Sequence, residues 1–325
     1  DNIKFGPEYI LPKPLDPRLL TAVAPAVAKG AMESGVAQRP IENWEEYNSR
    51  LRSLMGQDNK LVRRFTEAAK ANPKRVVFTE GNTDNMIRAA VSAMRAGVCT
   101  PILLGNEEMI EKRAKRIGVN IAGIEIVNPR HDREAERRHE FAVKHSATRQ
   151  RQGTTYREAL EKMYDRNYFG MMMVNEHQAD AVIVGTYSDT KAPGNIATEV
   201  IGIRPSYKHF STMHIINTKR GVYFIADTMV NQATDEDTLL DIARQTRNAV
   251  EFFSQDPVIA MVSFSNFGSS DAHESQKVHN VVERMQQMYP DLAIDGEMQL
   301  HYALNRELRD ATYPFSRLNG KDVNA

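Results

Sequence analysis

From residue 74 onward the chain alternates short apolar runs with longer stretches whose apolar positions recur every three or four residues. Arg75–Phe78, Thr100–Leu104, Ile124–Val127 and Ala181–Val184 are apolar runs, closed in turn by Glu80-Gly81, Gly105, Asn128-Pro129 and Gly185-Thr186. Runs this short, bounded by glycine or proline, predict buried strands. Between them, Asn85–Arg95 and Glu107–Arg116 predict helices with Gly97 and Gly118 past their ends. The charged stretch from Arg133 to Arg151 predicts a further helix that breaks at Gly153, and helix resumes up to His177. Strands alternating with helices predict crossover connections and a mostly parallel sheet.

The pattern changes after Arg204-Pro205. Thr212–Asn217 and Val222–Ala226, joined through Lys219-Arg220-Gly221, predict a hairpin. A helix over Asp235–Phe253 follows, with Asp235 and Glu236 in its first turn, where carboxylates meet the positive end of the helix dipole. Strand Val258–Ser263, helix Asp271–Met288 and strand Leu292–Ile294 come next, the last closed by Asp295-Gly296-Glu297. Residues 1–56 differ from both blocks. Pro7, Pro12, Pro14 and Pro25 predict extended chain and turns, then a short helix from Pro25 to Met32 with the proline in its first turn, then an amphipathic helix from Ile41 to Met55. The organisation expected is a leading segment 1–56, a first α/β domain 57–205 and a second α/β domain 206–325. Both ends read as interruptions of a longer chain.

Composition narrows the classes. The 325 residues carry 42 Lys and Arg against 42 Asp and Glu, which argues against a nucleic-acid partner. Hydrophobic residues at 41% suit a soluble globular chain, and no apolar run is long enough to span a membrane. Cys99 is the single cysteine, so an intrachain disulfide and a cysteine-based zinc site are excluded and a reducing cytoplasm is the expected compartment.

In open α/β sheets ligands bind at the carboxyl ends of strands. The run Ser265-Asn266-Phe267-Gly268-Ser269-Ser270 lies there, between a strand and a helix. Backbone N–H groups and hydroxyls in that position suit a phosphate or carboxylate. Equally, Ser270 or Asp271 could simply cap the helix. Thr186 and Tyr187 follow another strand. Asp295 and Glu297 could pair as carboxylates, with Gln299 beside them, or be a turn and a helix start. Lys277 could reach a ligand phosphate or serve as an exposed helix lysine. No G-x-G-x-x-G, Walker loop or H-E-x-x-H is present, and His273 and His279 are spaced to point apart, so no metal site is expected. The Arg133–Arg151 helix interleaves acids and reads as a solvated face, and Met171-Met172-Met173 reads as core filling.

Several segments together carry a family resemblance. Val76-Val77-Phe78-Thr79-Glu80-Gly81, Pro101–Gly105, Ala179–Gly185, Ala226-Asp227-Thr228, Val262–Ser270 and Asp295-Gly296-Glu297-Met298-Gln299 resemble the phosphate acetyltransferases. The form Ser-Asn-Phe-Gly-Ser-Ser with Asp-Gly-Glu-Met-Gln is most similar to the acetyltransferase-like domain fused to bacterial hybrid malic enzymes. Phe5–Arg18, Ala24–Ala28 and Ser34–Ala37 resemble the tail of a malic enzyme domain.

The resemblance implies two doubly wound, mostly parallel α/β domains with a cleft between them, an architecture shared with isocitrate and isopropylmalate dehydrogenases. It further implies acetyl-CoA as an effector, and a homo-oligomer that dimerises through the second domain. NADP and Mg or Mn are then expected in an upstream domain that decarboxylates malate to pyruvate. Acyl transfer in the family uses arginines that alignment places at Asn85 and Asn195, and a terminal Asp-Leu-Ser-Arg-Gly segment expected beyond Ala325. The expectation is therefore an effector-binding domain with no catalytic residue assigned. Its ligand-binding candidates are Ser265, Asn266, Gly268, Ser269, Ser270, Thr186, Tyr187, Asn85, Asn195, Asp295, Glu297 and Gln299. A working acetyltransferase and a purely assembling module are the alternatives.

Overall fold

The computed structural model describes residues 18–54, 60–185, 191–218, 220–228 and 230–325. The chain divides into two compact units, Asp1–Thr66 and Glu67–Ala325. In the first, helix α1 spans Arg18–Glu33 and carries Pro25 in its interior, not in its first turn as the sequence pattern suggests. Good helix formers on both sides of Pro25, Leu19, Leu20 and Ala22 before it and three alanines after it, carry the helix through the lost backbone hydrogen bond. Helix α2 (Trp44–Leu54) is capped by Asn43, whose Oδ1 accepts the N–H of Glu45 at 3.1 Å and of Glu46 at 3.0 Å. Helix α3 covers Lys60–Ala71.

The second unit is built on a four-stranded parallel sheet of order β3-β2-β1-β4, formed by β1 (Lys74–Phe78), β2 (Cys99–Leu104), β3 (Glu125–Val127) and β4 (Ala181–Ile183). Successive side chains of a strand face opposite sides, and the two cores follow that alternation. Val77, Ile102, Leu104 and Val127 pack on one face with Phe141, Phe169 and Met171–Met173. These come from α6 (Ala135–Arg149) and α8 (Arg166–Asn175), with α7 (Tyr156–Lys162) between them. Phe78 and Leu103 pack on the other face, against Ile87 and Val91 of α4 (Asp84–Arg95) and Ile110 of α5 (Glu107–Arg116). Each fully buried Val, Leu, Ile or Phe contributes about 1.5–3 kcal/mol of transfer free energy, which is why both faces are closed by helices. The charged helix α6 is not simply a solvated face, since Arg138 and His145 are buried within it. Gly81 closes the turn after β1 because a β-carbon there would lie 2.8 Å from the carbonyl of Leu104.

Beyond α9 (Lys191–Val200) the chain forms the predicted hairpin, β5 (Met213–Thr218) antiparallel to β6 (Gly221–Ala226). Asp235 caps α10 (Glu236–Phe252), accepting the N–H of Thr238 at 2.8 Å. Strand β7 (Val258–Val262) pairs in parallel with β8 (Ala293–Met298), and Leu240, Ala243, Val281 and Met285 pack against them from α10 and α11 (His273–Met288). Short helices α12 (Leu300–Leu304) and α13 (Arg306–Thr312) follow. The last residues link the two strand pairs. Phe224 N–H donates to Asn324 O at 2.7 Å and Ala260 N–H to Ala325 O at 2.9 Å.

Two local expectations are corrected. Asp295-Gly296-Glu297 is neither a turn nor a helix start but the middle of β8, buried along its whole length. Gly296 is needed there because a β-carbon would lie 2.4 Å from Met261 O across the pair. Helix α11 begins at His273 with Ala272 in the cap position and no side-chain cap, so neither Ser270 nor Asp271 caps it. Among the described residues, no helix is long and apolar enough to cross a membrane and no group of three or more His, Cys, Asp or Glu could hold a metal ion.

Candidate functional site

The loop after β7 is shaped by the strand beside it. Ser263 N–H donates to Met298 O at 2.9 Å and Phe267 N–H to Glu297 O at 2.8 Å. Gly268 N–H donates to the Glu297 carboxylate at 2.6 Å. The Ser265 hydroxyl lies 2.7 Å from that of Ser275 and 3.4 Å from Glu297 Oε1. Asn266 and Gln299 bond reciprocally, Asn266 Nδ2 to Gln299 Oε1 at 3.0 Å and Gln299 N–H to Asn266 Oδ1 at 2.8 Å. Gln299 Nε2 also donates to Phe264 O at 2.8 Å. Ser265 at 3% and Glu297 at 1% exposure are interior groups. Gly268 adopts φ 83°, a left-handed conformation that favours glycine.

These contacts change what the loop offers. A carboxylate of the protein already occupies the amide-lined side of the loop, where the sequence suggests room for a ligand anion. The outer side is different. Gly268 and Ser269 are exposed and Ser270 is half-buried. The Ser269 oxygen accepts the N–H of Asn266 at 2.9 Å, and that of Ser270 accepts the N–H of Ala272 at 3.3 Å. Phe267 joins Tyr302, Tyr313 and Phe315 in a ring cluster with centroids 4.8–5.9 Å apart. Phe264 and Phe315 remain largely exposed beside it.

The other candidates lie elsewhere. Asp295 turns away from the loop and accepts the Ser316 hydroxyl and the Arg317 N–H, both at 2.8 Å. Asn85 is exposed in the first turn of α4, and Asn195 is exposed in α9. Neither hydrogen-bonds to the loop among the described residues. Thr186 and Tyr187 lie outside the described residues. Lys277 donates to Thr234 O at 2.5 Å and is half-buried.

Three polar clusters escape a reading of the sequence alone. Arg309 is fully buried and donates to the carbonyls of Ala303, Leu318 and Lys321 at 3.3, 2.8 and 2.6 Å. Asp227 accepts the N–H and hydroxyl of Thr212 and the N–H and side-chain amide of Asn231. Burial alone raises its carboxyl, but these bonds outweigh burial and hold it below the ordinary range. Glu199 of α9 receives His145 at 3.0 Å, Lys162 at 2.5 Å and the Tyr168 hydroxyl at 2.7 Å, which ties α9 to α6, α7 and α8. Burial lowers His145 against the pull of Glu199, and burial with the Glu199 bond pushes the Tyr168 hydroxyl well up. Only spacing of acids and bases far apart in the chain signals such clusters, and it does not identify partners.

Residues 60–323 match the family described as Phosphate acetyl/butaryl transferase. The chain belongs to the phosphate acetyl/butaryl transferase family. Solved structures of phosphotransacetylases are similar to this chain over 81% of its length. A phosphotransacetylase from Streptococcus pyogenes superposes with a TM-score of 0.71 at 28% identity, covering 81% of this chain and 80% of that one. A phosphotransacetylase from Staphylococcus aureus gives 0.70 at 27%, with the same coverage of 81% and 80%. An NADP-dependent malic enzyme from Escherichia coli is 36% identical over 98% of this chain and 42% of its own length. The chain thus spans about two fifths of that relative, and the similarity includes residues ahead of the family match. Against the Phosphate acetyltransferase of Thermoanaerobacterium thermosaccharolyticum the identity is 31% over 80% of each chain. This family member is therefore similar to free-standing acetyltransferases and, over nearly all its length, to the corresponding part of malic enzymes.

Proposed function

We propose that this chain is the acetyl-CoA-responsive regulatory part of a malic enzyme and does not itself transfer acetyl groups. The observation that carries this reading is that asparagines, Asn85 and Asn195, stand exposed where the family resemblance expects arginines. An amide cannot neutralise a phosphoryl group, and an electrostatic clamp on a transition state is worth about 2.7–4 kcal/mol. The inward engagement of Gly268 by Glu297 supports the same reading, because that N–H is not free for a reacting oxyanion.

Acetyl-CoA then docks on the outer side of the loop, at Gly268, Ser269 and Ser270. Ser265, Asn266, Glu297 and Gln299 hold the loop's shape, and Asp295 braces the segment behind it. The whole protein oxidatively decarboxylates malate to pyruvate with NADP and a divalent metal bound in an upstream domain, dimerises through the second α/β part and resides in the cytoplasm. Calorimetric titration with acetyl-CoA tests the reading: saturable binding is expected, and no heat at millimolar ligand overturns it.

The similarity to the acetyltransferase of Thermoanaerobacterium thermosaccharolyticum favours a second reading, an active enzyme converting acetyl-CoA and phosphate to acetyl phosphate and CoA. Acetyl-CoA formation from acetyl phosphate and CoA separates the two. Turnover on the order of ten per second, ordinary for an enzyme, would make the second reading the correct one.

A further inference from the structure

The carboxyl ends of β1, β2 and β3 open onto a hollow of about 410 Å³. Asn82 enters it after β1, Gly105 and Asn106 after β2, and Asn128 and Arg130 after β3. The connection from α7 to α8 closes it with Tyr164 and Arg166. The volume lies within the range of small-molecule sites and exceeds what a single oxyanion fills.

Several other arginines of the same unit are ion-paired. Arg75 faces Glu125 at 2.9 Å, Arg113 and Arg116 face Asp84 at 3.3 and 2.6 Å, and Arg133 faces Glu107 at 2.9 Å. Among the described residues no carboxylate oxygen lies within 4.0 Å of a nitrogen of Arg130 or Arg166. Arg166 Nη1 donates to the neutral Oδ1 of Asn82 at 2.5 Å, and Arg130 Nε approaches Tyr164 O at 3.5 Å. Among the described residues, neither fork makes a further hydrogen bond. Asp165 also lines the hollow, but its carboxylate accepts the N–H groups of Asn167 and Tyr168 at 2.8 and 3.2 Å, capping α8. Asn106 caps α5 in the same way. Both caps lie on the hollow, so the positive ends of two helices add to its field although their first amides are engaged.

The wall is braced from behind. Arg138, 4% exposed, donates to the carbonyls of Pro129 and His131 at 2.6 and 2.7 Å and stacks 4.5 Å from the Tyr164 ring centroid. A buried guanidinium thus holds the backbone on both sides of Arg130 and packs on the Tyr164 ring, the kind of preorganised support a binding site needs.

We infer that this hollow binds the phosphate group of a small phosphorylated metabolite, with the guanidiniums of Arg130 and Arg166 as its two cationic contacts. Charge-assisted bonds from guanidinium to phosphate are the strongest available to a neutral-pH site, and a planar fork matches a phosphate face. The inference does not rest on the acetyl-CoA reading, which concerns the loop after β7.

Calorimetric titration of the 325-residue chain at low salt with inorganic phosphate and with AMP, and with adenosine as neutral control, tests it. Saturable binding of phosphate or AMP is expected, with none for adenosine. Arg130→Gln and Arg166→Gln each weaken it by roughly tenfold or more. AMP binding far more tightly than phosphate identifies an organic phosphate as the natural ligand, and equal binding identifies the free ion; both support the site. Absence of saturable binding by either up to about 10 mM, or affinities unchanged in the variants, overturns it. If Arg166→Gln loses its native circular dichroism through Asn82, the exposed Arg130→Gln decides alone.

Discussion

Two sets of strand ends in the larger unit treat their polar groups in opposite ways. At the end of β7 the loop residues bond inward, to Glu297, Gln299 and Ser275, and the interior face of the loop is filled by a carboxylate that is itself 1% exposed. At the ends of β1, β2 and β3 the side chains stand around an open hollow, and two guanidiniums leave most of their donors unengaged among the described residues. Position at the carboxyl end of a parallel strand is the same in both places. What differs is whether another part of the chain supplies the counter-group. Where it does, the polar residues set shape; where it does not, they are available to a ligand.

The difference can be broken by removing internally engaged groups and watching stability. The largest loss is expected for Arg309→Met, the fully buried guanidinium that holds three carbonyls around α13. Methionine fills part of the volume but leaves those carbonyls unpaired and removes the ion pair to Asp310, 3.2 Å from the guanidinium. The cost expected is about 4 kcal/mol, read as a shift of the urea midpoint with unchanged slope. A cost under about 1 kcal/mol would place Arg309 among groups that solvent can reach.

Next comes Glu297→Ala. It removes the acceptor of Gly268 N–H and leaves a void beneath the loop. We expect a loss of about 3 kcal/mol, with faster amide exchange confined to residues 263–270. Glu297→Gln keeps an acceptor in place and should cost about 1 kcal/mol. If Glu297→Ala binds inorganic phosphate where the parent loop does not, the loop is a latent anion cradle held shut by its own carboxylate.

The strands and most helices were legible in the pattern of apolar positions, because Val76–Phe78 and Ile102–Leu104 are too short and too uniformly apolar for surface helices and are punctuated by glycine. The helices after Asn106 and at Asp235 were legible too, although the structure makes both residues caps whose side-chain oxygens meet first-turn amides, where the sequence placed Asp235 inside the first turn. Asp295-Gly296-Glu297 misled because acid–glycine–acid is the composition of a turn. Its true setting depends on Ser316 and Arg317 reaching Asp295, and on Gly268 reaching Glu297, all distant in sequence. A buried polar residue is tolerated only with its partners, and partners that far apart leave no local trace. The family resemblance reached the loop after β7 through its residue order. It said nothing of Arg130 or Arg166, whose significance lies in the carboxylates that are not beside them.

A smaller effect separates engaged carboxylates by pH. Asp227 sits below its ordinary value of 3.8, because four donors from Thr212 and Asn231 outweigh the effect of burial. A depressed folded-state value means the unfolded chain binds more protons across the interval between the two. The stabilisation is therefore complete above the ordinary carboxylate range and is lost as pH falls through the folded value. Asp227→Asn should cost about 1 kcal/mol at neutral pH and flatten the acid side of the urea-midpoint profile. A parallel profile in the variant would mean that Asp84, Asp235, Asp241 and Glu199, also lowered, carry the acid dependence without it.

The smallest change expected is the most discriminating. Arg130 is exposed, and among the described residues its guanidinium makes one long hydrogen bond, to Tyr164 O, so Arg130→Gln should alter stability by no more than about 0.5 kcal/mol. Removing a cation that lines the same hollow as Arg166 and two helix N-termini, with no carboxylate within 4.0 Å among the described residues, relieves repulsion as well as losing a bond. A measured change near zero, or slight stabilisation, marks a group that the fold does not need. Set beside the loss at Arg309, it shows one residue type serving the two opposite ends of the same comparison: a guanidinium whose partners are all inside the protein, and one whose partner has to arrive from outside.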